Sequence, residues 1–356
     1  METVLGTRVQ TGRNIVAGSK FRSMRTGGRG ERRSDGRPVR RSEWRADASL
    51  LVLLLLLLLP TPPIAAQAPS GPLTVFNAGS LAASFRDLLQ AFAATHPGVV
   101  PRQESSGSLE AARKLTELGR VPDVLGVADY QVLTSLVVPR HADWYATFAR
   151  NAMVLLHSSR SIGAGEITGQ NWWQVLLRPG VRTGRSDPAL DPNGYRTLMV
   201  TQLAEGHYRQ PGLAARLLAA MPPRYVRPKE ADLVALVQAG ELDYAWSYRS
   251  IAVATGLPSV ALPAEVDLSD PRHDARYRQA KVRVPAGAGA DSLTLIGEPI
   301  VYALTIPRQA PNPAAAAAFV RFVFSPGGQA ILRQHGYILL DRPGLVGRPP
   351  AGVMPQ

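Results

Sequence analysis

The sequence predicts an α/β fold built on mostly parallel sheets, for two reasons. Short apolar runs typical of strands alternate with longer runs whose apolar residues recur at helical spacing. Of the 356 residues, about 288 follow an N-terminal leader, enough for one large or two medium domains. The predicted strands cover residues 73–76, 99–103, 124–127, 153–156, 244–246 and 301–306, and the predicted helices cover residues 81–95, 109–118, 171–177, 194–204, 211–219, 230–239, 313–324 and 327–334.

The first 68 residues have the layout of a signal peptide with a long basic leader. They hold 12 Lys/Arg and 5 Asp/Glu, then an apolar run at residues 50–59, a proline bend and small residues ending at Ala68. An apolar run of about ten residues is too short for a membrane-spanning helix, which needs roughly 20. We therefore expect export to the periplasm, with Met24 as an alternative start of translation.

The rest of the chain is mildly basic and contains no cysteine. It carries 28 Lys/Arg and 22 Asp/Glu, a net charge of +6 against +13 for the whole sequence. These charges are interspersed, without a basic run interleaved with aromatic residues, so nucleic acid is not an expected partner. The lack of cysteine excludes disulfides, thiolate metal sites and a lipid-anchored start, so we expect a soluble protein.

Two serines are the first candidate binding residues. Ser80 follows the predicted strand at 73–76 and precedes a helix, and Ser108 stands in the same place after the strand at 99–103. A helix start offers unpaired N–H groups and a positive dipole end, to which a serine adds a hydroxyl donor. Two such starts predict an oxyanion site. Each serine has an alternative role as a simple helix N-cap.

Two segments lack clear periodicity. Residues 269–291 are rich in charge, Pro, Gly and Ala, which predicts a surface insertion. Residues 343–356 predict a flexible tail.

Four motifs, in order, resemble the substrate-binding proteins of molybdate/tungstate ABC transporters, the tungstate-type branch most closely. They are residues 145–154 (YATFARNAMV), 184–196 (GRSDPALDPNGYR), 240–250 (GELDYAWSYRS) and 299–307 (PIVYALTIP) with 310–313 (APNP). The resemblance runs from about residue 73 to residue 341. It implies a two-lobed periplasmic-binding-protein (type II) fold, with residues 69–149 and 262–342 in lobe 1, residues 150–261 in lobe 2, and the oxyanion in the cleft between them.

The resemblance also implies roles for single residues. Ser80 and Ser108 match serines that bind the oxyanion, and Asn151 falls in a segment whose backbone lies near it. Asp191 matches an aspartate that coordinates the metal of the oxyanion directly, and Tyr248 matches a tyrosine whose hydroxyl faces the anion.

One position departs from the family pattern. Ser247 stands where the tungstate-type branch has a glutamate that supplies a second carboxylate. One carboxylate alone cannot complete a six-coordinate sphere, so the sequence favours tetrahedral recognition by hydroxyl and N–H donors, with Ser247 in the site. No Lys or Arg is expected in the pocket, because neutral donors at helix starts suffice for a dianion.

Several of these residues have other readings. Asp191 before Pro192 is also an ordinary N-cap with proline at the first helical position. The pair at Asp187 and Pro188 could face the ligand instead, or form a turn. Tyr248 and Tyr244 could be core aromatics.

The sequence as a whole predicts an extracytoplasmic receptor without catalysis or cofactor. We expect a monomer that binds molybdate or tungstate and delivers it to ABC-transporter permease subunits. A receptor of the same fold for sulfate or for ferric ion is the alternative, the latter through tyrosines and Asp191. A secreted hydrolase is a weaker one, because neither serine lies in a G-x-S-x-G elbow and no histidine has a suggestive partner.

Overall fold

The computed structural model describes residues 68–285 and 292–354. The predicted signal peptide therefore lies outside the described residues, apart from Ala68. Among the described residues, no single helix has the length and apolar character needed to cross a membrane; only the helix pair Pro313–Phe324 and Pro326–Gln334, bent by 65° at its junction, reaches that length together.

A seven-stranded sheet forms the part of the molecule that we call lobe 1. Its spatial order is β13, β4, β12, β3, β1 and β2, and β14 pairs with β4 beside β13. Strands β2, β1 and β3 run parallel, whereas β12, β13 and β14 join antiparallel. The strands are β1 (Gly71–Ala78), β2 (Val99–Ser106), β3 (Val124–Val127), β4 (Trp144–Arg150), β12 (Val301–Thr305), β13 (Ile338–Leu339) and β14 (Leu345–Gly347).

A five-stranded sheet forms lobe 2, in the order β7, β6, β8, β5 and β9. Strands β7, β6 and β8 are parallel, and β5 lies antiparallel between β8 and β9. Both sheets are thus mixed rather than mostly parallel, because strands that follow a crossing between the lobes enter the sheet in the reverse direction. The strands are β5 (Met153–His157), β6 (Thr183–Ser186), β7 (Val226–Arg227), β8 (Tyr244–Tyr248) and β9 (Ser259–Ala261).

Helices cover the sheets, as the predicted alternation requires. Facing helices of lobe 1 pack through aromatic edges, with Phe92 and Phe319 centred 5.5 Å apart, and in lobe 2 Trp172 stands edge-on to Trp246 at 5.4 Å. The helices are α1 (Ala82–Thr95), α2 (Ser108–Thr116), α3 (Tyr130–Val132), α4 (Trp172–Leu176), α5 (Pro192–Tyr208), α6 (Leu213–Ala219), α7 (Glu230–Ala239), α8 (Arg249–Thr255), α9 (Asp274–Tyr277), α10 (Pro313–Phe324) and α11 (Pro326–Gln334).

The chain crosses from lobe 1 to lobe 2 in a short link. β4 ends at Arg150 and β5 begins at Met153, so this link consists of two residues, Asn151 and Ala152. The chain returns after β9, and α5 to α8 all lie within the excursion between these crossings. The two lobes thus arise from one continuous insertion of lobe 2 into lobe 1.

The segment predicted as a surface insertion contains regular structure in its described part, residues 269–285. It contains α9 and β10 (Lys281–Pro285), which pairs antiparallel with β11 (Ser292–Ile296). This hairpin contacts both lobes, since Arg113 and Gln131 of lobe 1 donate to the carbonyls of Pro285 and Ile296. The Gln202 side chain on α5 accepts from the Lys281 amide at 3.0 Å and donates to the Lys281 carbonyl at 3.1 Å.

The prediction of a flexible tail after residue 343 is wrong for its described part. Leu345–Gly347 pairs with β4, and the Thr147 amide donates to the Gly344 carbonyl at 2.8 Å. Val353 is fully buried. The described part of the tail, up to residue 354, is therefore held by strand pairing and by one buried valine, although its composition is that of a loop.

Candidate functional site

Ser80 lies in a single 3-10 turn, Gly79–Leu81, between β1 and α1. Its side chain is 5% exposed and does not cap a helix, because the N-cap of α1 is Leu81 and makes no side-chain cap bond. Instead Ser80 Oγ accepts from the Tyr302 hydroxyl at 2.9 Å, which in turn accepts from Asn151 Nδ2 at 3.1 Å. These bonds leave the hydrogen of the Ser80 hydroxyl available for an acceptor.

Ser108 is the first residue of α2, after the N-cap Gly107. Its side chain is fully buried, and its Oγ accepts from the Ala128 amide at 2.9 Å. Neither serine is a helix N-cap, which was the alternative role considered for each. In both, a donor behind the hydroxyl occupies an oxygen lone pair, so that the O–H itself can point to a ligand.

Asn151 braces the crossing between the lobes. Its Nδ2 donates to Ser250 Oγ at 2.7 Å and to the Tyr302 hydroxyl, and its Oδ1 accepts from the Ala152 amide at 3.0 Å. The side chain is therefore occupied by protein partners. Its connection to the site is indirect, through Tyr302 and Ser80.

Asp191 caps α5, which is the alternative role expected for an aspartate that precedes Pro192. Its Oδ1 accepts from the Asn193 amide at 3.0 Å, with Pro192 at the first helical position. The carboxyl is 4% exposed, and burial raises its pKa to about 6, although the Asn193 and Glu230 amides and the Arg196 charge act in the opposite direction. The cap uses Oδ1, and the Glu230 amide lies close enough to the carboxyl to act on its pKa.

A second carboxylate stands beside Asp191, from a position that the sequence analysis missed. Glu230 is the first residue of α7 and is 1% exposed. Its Oε1 accepts from the Tyr248 amide at 3.0 Å and from the Ser247 hydroxyl. Its Oε2 is buried and has no hydrogen-bond partner among the described residues. Burial, followed by the Asp191 charge, raises the pKa of Glu230 to about 8.

Glu230 corrects the premise that the chain has lost its second carboxylate. Ser247, predicted to lie in the site itself, donates to Glu230 and so holds that carboxylate in place. In sequence, a glutamate at the first position of a helix looks like an ordinary partner of the helix dipole. The one available signal is the Pro228-Lys229-Glu230 start of α7, which does not reveal burial.

An arginine also adjoins the site, contrary to the expectation of none. Arg196 on α5 is 3% exposed, and its Nη1 donates to the Tyr248 hydroxyl at 3.1 Å. Its Nη2 lies 3.1 Å from Asp129 Oδ2, so that its charge is neutralised by a buried partner. Tyr248 is fully buried, which raises its pKa well above the ordinary value and keeps the phenol neutral.

The other two candidate residues, Asp187 and Tyr244, bond to nearby backbone groups. Asp187 forms a turn, since its Oδ1 accepts from the Ala189 amide at 2.8 Å. The Tyr244 hydroxyl donates to the Ile162 carbonyl at 2.7 Å. Within residues 68–285 and 292–354, no group of three or more His, Cys, Asp or Glu side chains could hold a metal ion, and no histidine bonds to Ser80 or Ser108.

The segments that carry the two serines of lobe 1 contact the segments that carry the two carboxylates of lobe 2. The start of α7, which carries Glu230, packs against the turn that carries Ser80. At Gly107, next to Ser108, an added Cβ would lie 2.1 Å from the Leu190 carbonyl oxygen and 3.2 Å from Asp191 Cα. Hydroxyl donors from one lobe and two buried carboxylates from the other thus converge at the contact between the lobes.

Comparison with known proteins identifies relatives along most of the chain. A family model described as bacterial extracellular solute-binding protein matches residues 73–338. A solute-binding protein of Petrotoga mobilis is 43% identical, covering 77% of this chain and 85% of its own length. The molybdate/tungstate-binding protein WtpA of Pyrococcus abyssi is 34% identical, covering 79% and 88%.

Solved structures share the fold at low sequence identity. The periplasmic molybdate-binding protein of Azotobacter vinelandii matches with a TM-score of 0.57 and 19% identity, covering 76% of this chain and all of that one. The sulfate-binding protein SubI of Mycobacterium tuberculosis matches with a TM-score of 0.56 and 16% identity, covering 76% and 87%. These two likenesses bear on architecture, and they agree with two lobes built on α/β sheets.

Proposed function

Since the chain belongs to the bacterial extracellular solute-binding protein family, we propose that it captures molybdate or tungstate between its lobes and delivers the anion to an ABC-transporter permease. The family consists of receptors, and the 34% identity to a molybdate/tungstate-binding protein supports this choice of ligand. We further propose that the protein works in the periplasm, as a monomer, without a cofactor and without catalysis of its own.

One observation carries the choice of anion: two buried carboxylates of lobe 2 lie on segments that contact those of the two serines of lobe 1. Hydroxyl donors suit any tetrahedral oxyanion, sulfate included. Carboxylates repel a dianion unless they are protonated or bonded to its central atom. Molybdenum and tungsten can add oxygen ligands to reach six-coordination, whereas sulfur in sulfate cannot.

We therefore propose that Asp191 Oδ2 and Glu230 Oε2 bond the central atom of the anion. Glu230 supports this role because its Oε2 has no partner among the described residues, while Oε1 is held by the Tyr248 amide and the Ser247 hydroxyl. This proposal replaces the tetrahedral preference of the sequence analysis, since the structure supplies the carboxylate whose absence motivated it.

Competition calorimetry with molybdate, tungstate and sulfate tests the proposal. We expect the parent protein to bind molybdate and tungstate far more tightly than sulfate. Glu230→Gln and Asp191→Asn should each reduce affinity for the two metal oxyanions by at least about tenfold, the loss of one bond to a charged group. The exposed Glu241→Gln serves as a control and should bind like the parent.

Two results would contradict this coordination. If sulfate bound as tightly as molybdate, the protein would be a general oxyanion receptor. If the Asp191→Asn protein bound molybdate unchanged or more tightly, its carboxylate would be a helix cap that repels the anion, and recognition would be tetrahedral.

A further inference from the structure

A buried ion pair joins the two lobes beside the proposed anion site. Asp129 follows β3 in lobe 1 and caps the short helix α3, its Oδ1 accepting from the Gln131 amide at 2.9 Å. Its other oxygen, Oδ2, lies 3.1 Å from Nη2 of Arg196 on α5 in lobe 2. Both side chains are 5% exposed or less, so the pair is shielded from solvent screening.

The adjacent residues of lobe 2 reinforce this contact. The Tyr195 hydroxyl donates to Asp129 Oδ2 at 2.6 Å, and Arg196 Nη1 donates to the Ala128 carbonyl at 2.8 Å. Two consecutive side chains of α5 thus bind two consecutive residues of lobe 1. Every one of these bonds must break for the lobes to separate at this point.

The ion pair is one residue removed from the anion site on each side. Ala128, whose carbonyl accepts from Arg196, donates its amide to Ser108 Oγ. Tyr248, whose hydroxyl accepts from Arg196, donates its amide to Glu230 Oε1. The groups that hold the lobes together are therefore bonded to the groups proposed to hold the anion.

We infer that Asp129 and Arg196 are positioning residues that latch the closed arrangement of the lobes and align Ser108 with Glu230. The inference rests on the proposed function, because it assigns these residues to closure around the anion. Removing one partner of a buried pair leaves an uncompensated charge, which strongly disfavours the state that buries it. An open state, in which solvent reaches Arg196, would therefore become more populated as the closed state becomes less stable.

Asp129→Asn is the most informative variant. Asparagine is as good an N-cap as aspartate, so α3 keeps its cap while Arg196 loses its counter-charge. The matched control is Asp243→Asn: Asp243 is 3% exposed and pairs with Arg182 at the same distance of 3.1 Å, but both lie within lobe 2.

The lobe separation can be measured directly because the sequence contains no cysteine. Cysteines introduced at Leu118 in lobe 1 and Arg216 in lobe 2, both exposed, would carry a spin-label pair. Without added anion, we expect the Asp129→Asn protein to show a longer distance distribution than the labelled parent, and saturating molybdate to restore the short distance. Its molybdate affinity should fall about tenfold, since apparent affinity scales with the closed fraction.

Further variants keep the test decisive. Tyr195→Phe removes one donor to Asp129 without changing a charge, and should give a smaller shift in the same direction. Arg196→Lys keeps the charge but loses the planar fork of donors, so it should also give a smaller shift than Asp129→Asn. If Asp129→Asn matched the Asp243→Asn control in both distance distribution and affinity, the latch would be wrong. If the parent bound none of molybdate, tungstate and sulfate, the proposed function would fail, while the distance comparison without anion would still decide the latch.

Discussion

Ser80 and Ser108 are placed alike, although they belong to different strand–helix connections. Each hydroxyl accepts a hydrogen bond from behind, from the Tyr302 hydroxyl in one case and from the Ala128 amide in the other. A hydroxyl that has already accepted is polarised toward donating its own hydrogen. Both serines are therefore set up as donors before any anion arrives.

Replacing either serine by alanine should weaken molybdate binding. Each change removes one donor to a charged acceptor, so we expect a loss of about 10- to 100-fold in affinity by calorimetry. Ser84→Ala is the control, because Ser84 is buried one turn into α1 and donates to the Leu81 carbonyl. Parent-like binding by both single mutants would mean that these hydroxyls serve only their protein partners.

The residues of the site differ in how far sequence alone could assign them. Ser80 and Ser108 stand at predicted strand ends, so their convergence follows from topology. Ser247 and Glu230 are 17 residues apart, and their contact depends on how α7 packs over β8. The family resemblance places a second carboxylate at position 247, where this chain has serine, and the fold instead brings Glu230 beside Ser247. No local pattern shows which helix start meets which strand end.

The start of α7 combines a helix N-terminus with a buried acid. The ordinary pKa of 4.5 for Glu230 rises to about 8, so the folded protein favours its neutral form. The stability that this neutral carboxyl contributes is complete below pH 4.5 and is lost as the pH rises through about 8. The helix start that we propose binds the anion should thus destabilise the fold in alkaline solution.

Glu230→Gln should therefore raise the thermal stability of the protein without added anion at alkaline pH. Glutamine copies the neutral carboxyl; one pKa unit corresponds to about 1.4 kcal/mol, and 1 kcal/mol to about 2–4 °C in Tm for a protein of this size. We expect Tm to rise by at least about 2 °C at pH 8.5 and the difference to vanish near pH 4.5. A Tm below that of the parent at every pH, with Glu241→Gln unchanged, would contradict this account of the buried acid.

Strand β14, near the end of the chain, depends on a distant partner strand rather than on its own sequence. Strand β14 has only three residues, and two of them, Leu345 and Val346, are about half exposed. Its order comes from pairing with β4, some 200 residues earlier in the chain. The bounds of helices α1 and α10, by contrast, were predicted to within one residue, because the spacing of their apolar residues is visible in the local sequence.

The two lobes meet so closely that one backbone position has no room for a side chain. Gly107 has a φ of −61°, which any residue can adopt, so the need for glycine comes from the approach of Leu190 in the other lobe. The arrangement of the lobes is a property of the whole molecule. No segment of the sequence taken alone indicates that Gly107 and Leu190 touch.

Gly107→Ala should hold the lobes apart while leaving each lobe folded. The added Cβ would lie 2.1 Å from the Leu190 carbonyl oxygen, far inside contact distance. We expect small-angle scattering with saturating molybdate to show the variant less compact than the parent, and the variant to bind at least about tenfold more weakly. Gly165→Ala, where an added Cβ meets nothing within 4 Å, is the control. Equal compaction and affinity in parent and variant would show that the closed arrangement does not need this contact.

Asn151 begins a chain of hydrogen bonds that has a fixed donor-to-acceptor direction. Its amide nitrogen can only donate, so the bonds from Asn151 to Tyr302 and from Tyr302 to Ser80 run one way, from the crossing between the lobes to the anion site. Asn151 Oδ1 meanwhile accepts from the Ala152 amide in the crossing link itself. The backbone link between the lobes is therefore connected by hydrogen bonds to a hydroxyl that we propose contacts the anion, so a change in the angle of this link should reorient that hydroxyl.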